Sequence, residues 1–188
     1  MSTTEYKGDV CSHKHSFFLD NFIRRLFQNP EKILKEYIQP HQTVIDLGCG
    51  PGFFTLAMAR MVAPGGKVIA VDLQEQMLAK TQRKADKMGL TSRVQFHLCS
   101  QDQIGLAKEV KADFILAYYM VHETPDQNLF LSEVKSLLKP GGRCLIVEPR
   151  FHVSKKAFEQ MTANASDLGF TIEDRPKKKG GLSLLLSA

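Results

Sequence analysis

The chain has no apolar stretch approaching the roughly eighteen residues that a membrane span requires, and no internal repeat, low-complexity tract or interdomain linker. Membrane-spanning, fibrous and repeat architectures are thereby set aside. Cysteine is sparse: Cys11, Cys49, Cys99 and Cys144 are widely separated with no C-x-x-C pair, so neither a dithiol redox centre nor a disulfide framework is expected. They read as reduced, structural thiols. Cys11-x-His13-x-His15 lacks a fourth ligand and has Lys14 beside it, so no metal site is expected. The first residues are polar, without a charged segment followed by an apolar one, and a cytoplasmic protein is the expectation.

What remains is ordinary for a soluble globular chain: 188 residues, 43% apolar and 24% charged. That length fits one domain with a sizeable core. Residues 1–28 are expected to form an N-terminal segment with a lid-like amphipathic helix at 16–27, and residues 29–188 the single domain. The net charge of +5 invites a nucleic-acid reading, but its densest source, Arg175 to Lys179, lies with Pro176 and paired glycines between two apolar runs. This looks like a solvated hairpin tip, and a nucleic-acid partner is not expected.

The strongest positive signal is Asp46-Leu47-Gly48-Cys49-Gly50-Pro51-Gly52. It follows the β-branched run Thr43-Val44-Ile45, and Phe53, Phe54, Leu56, Ala57, Met58, Met61 and Val62 recur after it at helical spacing. Strand, glycine turn and helix therefore follow one another. Glycine permits both the unusual φ/ψ of such a turn and the approach of a ligand to bare backbone. Twenty positions after Gly52 a second strand, Lys67-Val68-Ile69-Ala70-Val71, ends in Asp72, a carboxylate suited to a ribose diol. A dinucleotide site wants G-x-G-x-x-G, whereas this chain has G-x-G-x-G preceded by an acid.

Together with Ala112-Asp113-Phe114-Ile115-Leu116, Leu138-Lys139-Pro140-Gly141-Gly142-Arg143 and Cys144-Leu145-Ile146-Val147-Glu148, these residues resemble the class I S-adenosylmethionine-dependent methyltransferases, and the likeness covers most of the chain. More loosely, the compact layout resembles the ubiquinone and menaquinone biosynthesis methyltransferase group. The resemblance implies a three-layer α/β sandwich with a doubly wound, mostly parallel seven-stranded sheet whose last strand is antiparallel. It implies S-adenosylmethionine as cofactor, S-adenosylhomocysteine as product, and a cofactor site at Asp46, Gly48, Cys49, Gly50, Gly52, Asp72 and Leu73. Ser100 stands where the family often has an acidic or polar residue beside adenine, with the Gln101 N–H as a further contact. Ala117 and Tyr118 end the fourth strand near the methionyl part, where Tyr118 serves either as a cation–π face or as core packing.

The other elements follow from pattern. Asn29-Pro30-Glu31 opens a helix expected to reach about Tyr37; residues 76–88 form another, stopped by Gly89; Arg93 to Leu98 form the third strand; and Ser154 caps a helix over 154–168 ended by Gly169. The clusters Met120-Val121-His122-Glu123 and Glu148-Pro149-Arg150-Phe151-His152 follow the fourth and fifth strands and should face the ligand crevice. His122 is the first candidate for a general base or a pocket-forming residue, Glu148 and His152 are weaker candidates, and Arg150 is a partner for an anionic substrate. The marks of exocyclic-amino and cytosine-carbon base methylation, Asn/Asp-Pro-Pro-aromatic and a Pro-Cys nucleophile, are absent. A small-molecule acceptor and a monomer or homodimer are expected, with an RNA or protein methyltransferase, or a non-catalytic cofactor-binding module, as alternatives.

Overall fold

The computed structural model describes residues 29–178 and 180–188. The expected helix at 16–27, its lid role and the Cys11-x-His13-x-His15 segment lie outside the described residues. In chain order the elements are α1 (Pro30–Leu34), β1 (Thr43–Leu47), α2 (Thr55–Met61), β2 (Lys67–Asp72), α3 (Glu75–Lys87), β3 (Val94–Leu98), β4 (Ala112–Tyr118), α4 (Gln127–Leu137), β5 (Leu138–Pro149), α5 (Lys155–Asp167), β6 (Thr171–Asp174) and β7 (Gly181–Ser187), with short 3-10 turns at Thr91–Arg93 and Val121–Glu123.

The strands form one seven-stranded sheet in the order β3-β2-β1-β4-β5-β7-β6. β1 to β5 are parallel, and β7 inserts antiparallel between β5 and β6. Strand order reverses between β1 and β4, the place where a doubly wound sheet opens a crevice at its carboxyl ends. The pleat builds two cores from alternate residues. Ile45, Leu47, Ile115, Ala117 and Ile146 pack with Leu131, Val134, Phe158 and Met161 from α4 and α5. Val44, Val68, Phe114, Leu116 and Leu145 pack on the opposite face with Leu34, Leu56, Met58, Leu78 and Ala85 from α1, α2 and α3. The three layers follow from that alternation.

Local chemistry sets the boundaries. Asn29 and Ser154 cap α1 and α5 by accepting from Lys32 N and Ala157 N, and Asp126 caps α4 by accepting from Asn128 N and Leu129 N. α1 is shorter than expected: Tyr37 N donates to Leu34 O, tightening the chain into a turn, and the Tyr37 ring stacks on Phe114 at 5.6 Å. β5 is longer, because Leu138 already pairs with Ala112 and a register shift before Phe114 carries the ladder through Pro140, Gly141 and Gly142. A Cβ on Gly142 would lie 2.9 Å from Ala112 O, so the glycine lets two backbones approach within the strand.

The basic segment after β6 is mostly exposed, as expected of a hairpin tip, but two of its cations have partners. Arg175 forms a bidentate pair with Glu159 at 2.6 and 2.8 Å, and Lys178 lies over the Tyr37 ring at 4.9 Å while donating to Ile33 O. Partial burial lowers the pKa of Lys178. Among the described residues no helix is long and apolar enough to cross a membrane.

Candidate active site

A cavity of about 390 Å³ opens at the carboxyl ends of the strands, between the turn after β1, the tip of β2, the loop after β3 and the segments following β4 and β5. Its two ends are built differently.

At one end the chain leaves β1 in the glycine turn. Asp46 is buried and accepts from Thr55 Oγ1 at 2.6 Å, which ties the strand end to the first turn of α2. Gly50 has φ +52°, and a Cβ placed on it would meet nothing within 4 Å, so this position leaves bare backbone facing open space. Gly52, at φ +85°, serves differently: a Cβ there would lie 2.7 Å from Thr81 Cγ2. Gly52 lets α3 close on the turn and is not among the residues that line the cavity. α3 braces the same turn, with Thr81 Oγ1 donating to Gly50 O and Lys84 Nζ to Pro51 O, both at 2.9 Å.

Asp72 ends β2 against that turn. Its Oδ2 accepts from Gly50 N and its Oδ1 from Gln74 N, both at 2.8 Å. Burial raises its pKa, and these backbone donors, with Leu73, oppose the rise. One carboxylate thus orders the turn while still lining the cavity, and its four acceptor sites exceed these three backbone donors, which leaves capacity for a ligand. Gly48, Cys49, Leu73, Ser100, Gln101 and Tyr118 line the same cavity. Tyr118 packs against Phe54 with ring centroids 4.6 Å apart. Ala117 does not line it: that side chain is fully buried in the α4–α5 core because the pleat turns it away from its neighbour Tyr118. Burial raises the thiols of Cys49, well above the ordinary value, and of Cys99, to about 11, so neither is poised as a nucleophile.

At the other end, side chains from β5 and from the turn after β4 meet. Glu148 is 1% exposed and does not itself line the cavity. Its Oε1 accepts from Val121 N at 3.0 Å, and its Oε2 accepts from His122 N at 3.3 Å and contacts His122 Nδ1. The carboxylate can only accept, so Nδ1 carries the proton and Nε2 is the ring nitrogen left for a ligand. The hydrogen bond to Glu148 raises the His122 pKa above 6.5 against the opposing effect of burial. His152 stacks on His122 with centroids 5.6 Å apart and planes at 14°, and Phe151 lies 4.7 Å from His152.

Other lining residues carried no role in the sequence reading. Glu123 is partly buried, and burial raises its carboxyl. Tyr119 holds φ +62° with its N donating to Val147 O at 2.7 Å, and Met120 lies under Gly48. Glu123 stands in the run Met120-Val121-His122-Glu123 after β4; nothing in local sequence marks Tyr119. Arg150, expected to meet an anionic substrate, donates instead to Gly181 O at 3.2 Å and does not line the cavity. Among the described residues no group of three or more His, Cys, Asp or Glu could hold a metal.

A glycine turn, an acid at the tip of the second strand and a crevice at the switch point are the layout of the class I S-adenosylmethionine-dependent methyltransferase fold. The chain belongs to the methyltransferase domain family, which it matches over residues 38–179. It is 32% identical over 123 residues to the demethylmenaquinone methyltransferase of Lactococcus lactis, covering 62% of this chain and 47% of the relative. It is 28% identical over 138 residues to a ubiquinone/menaquinone biosynthesis C-methyltransferase of Pectobacterium atrosepticum, covering 73% and 53%. The chain thus spans about half the length of these curated relatives. Among solved structures, a SAM-dependent methyltransferase from Aquifex aeolicus superposes with a TM-score of 0.81 at 26% identity, covering 93% of this chain and 97% of that one.

Proposed function

We propose that the protein is an enzyme that transfers a methyl group from S-adenosylmethionine to a small-molecule acceptor. The observation that carries this reading is the two-ended cavity: backbone and ribose-type acid at one end, a carboxylate-held histidine at the other. The residues fit the cofactor because the space a Cβ would fill at Gly50 is open and Asp72 lies beside it with acceptor capacity to spare. Asp72 would hold the ribose hydroxyls, Ser100 and Gln101 the adenine edge, and Gly48, Cys49 and Tyr118 the methionyl part. Bound there, S-adenosylmethionine supplies an electrophilic methyl group.

The protein's own work is positioning, exclusion of water and removal of an acceptor proton where there is one. His122 is the base in this reading, through Nε2. Glu148 acts through His122 as a positioning residue, fixing the tautomer by its bond to Nδ1 and the backbone by its bonds to Val121 N and His122 N. His152 packs on the imidazole and holds its plane. The small-molecule acceptor is further supported by the quinone methyltransferases among the relatives.

Calorimetric titration with S-adenosylmethionine, S-adenosylhomocysteine and NAD tests the reading. Binding of both S-adenosyl compounds without NAD is expected; binding of NAD alone, or of none, would overturn it.

A further inference from the structure

Resting on the methyl-transfer reading of the cavity, we propose that its acceptor end selects a flat aromatic molecule without negative charge, and that Glu123 sets the charge preference.

The first argument is electrostatic. The chain carries a net charge of +5, yet among the described residues no lysine or arginine lines the cavity. Arg150 adjoins Phe151 in sequence but is not among the lining residues, and its Nε donates to Gly181 O. Glu123 and Asp126, in contrast, both line it. Burial is the main cause that raises the Glu123 carboxyl, and the nearby charges of Glu148 and Asp72 raise it further against that of His122. A carboxylate or phosphate entering between these groups loses water and meets like charge, whereas a neutral molecule escapes that penalty and a cation finds a partner. The basic total charge of the chain is therefore no guide to its ligand.

The second argument is shape. The His122 and His152 rings lie nearly parallel, and Phe151 continues them. Phe151 is 78% exposed beside the opening, a large apolar ring that an aromatic ligand would cover. Flat side chains from two strand ends thus flank the same cavity end as Glu123.

Three phenols that differ in charge but share a ring test the proposal: tyramine, 4-ethylphenol and 4-hydroxyphenylacetate, titrated by calorimetry at neutral pH into protein saturated with S-adenosylhomocysteine. Tyramine is expected to bind at least about tenfold more tightly than 4-hydroxyphenylacetate, with 4-ethylphenol between them. Glu123→Gln should shrink that ratio and Glu123→Lys should invert it, both with S-adenosylhomocysteine still bound. Equal or tighter binding of the anion, a ratio unmoved by either substitution, or binding of none of the phenols to the saturated protein would overturn the proposal. Failure to bind S-adenosylhomocysteine at all would instead overturn the reading of the cofactor end.

Discussion

The two ends of the cavity are made of different material. The cofactor end is backbone: a turn whose glycines hold positive φ, ordered by one carboxylate that accepts from Gly50 N and Gln74 N and braced by Thr81 and Lys84 from α3. The acceptor end is side chain: His122, Glu123, Phe151 and His152, brought together because β4 and β5 are neighbours and end side by side. A backbone site depends on glycines at positive φ but is indifferent to many neighbouring side chains; a side-chain site can be retuned one residue at a time. Binding and turnover should therefore respond to different substitutions.

The largest separation is expected at His122. His122→Ala should lower methyl transfer by roughly 10²- to 10⁴-fold, the usual contribution of a positioned base, while S-adenosylhomocysteine affinity is retained. Loss of binding and turnover together would erase the distinction between the ends. Asp72→Asn should do the reverse. A charge-assisted hydrogen bond contributes about 1.5–3 kcal/mol, so cofactor affinity should fall roughly ten- to hundred-fold in calorimetry. Thermal stability should move little. The pKa of Asp72 is raised in the folded protein, so its titration contributes stability below the ordinary value of 3.8 and that contribution is lost as pH rises through the folded value. At neutral pH the ionised, buried group is a cost that Asn removes, offsetting the backbone bond the amide NH₂ cannot accept.

The same division explains what could be read before folding. Asp46, Gly48, Gly50 and Asp72 lie within single strand-turn units, so their spacing alone announces them, as the run Lys67-Val68-Ile69-Ala70-Val71-Asp72 announces β2 to the residue. Gly52 and Ala117 share that spacing but do not line the cavity, because packing against Thr81 and the side of the pleat are decided by partners distant in sequence. The bond between Glu148 and His122 joins residues 26 apart and depends on β4–β5 register, and the role of Glu123 depends on charges from β2 and β5. No local pattern encodes those distances. The ladder through Gly142 was hidden for a similar reason: Pro-Gly-Gly reads as a turn until Ala112 pairs with Leu138.

Glu148→Gln probes a subtler effect than loss of the base. The wild-type His122 pKa lies above 6.5, so its pairing with Glu148 contributes stability that is complete below 6.5 and is lost as pH rises through the folded value. The difference in Tm between wild type and Glu148→Gln should accordingly be larger at pH 6 than at pH 9. The rising limb of the pH–rate profile, which follows formation of neutral His122, should move to lower pH in the variant. A purely structural Glu148 would change Tm by the same amount at both pH values and leave the limb in place.

The smallest effect belongs far from either end. Arg175 and Glu159 form a short bidentate pair, but both are largely exposed, and holding two long side chains in water costs entropy that offsets much of the attraction. Arg175→Ala should leave S-adenosylhomocysteine affinity and turnover unchanged, and any small loss of Tm should vanish in high salt. If the substitution instead reduced turnover while cofactor affinity held, the basic segment after β6 would have to take part in acceptor recognition, and a charge opposite to that of the acidic cavity end would be recruited from outside it. Salt-dependent binding of an RNA oligonucleotide, lost in the same variant, would point the same way.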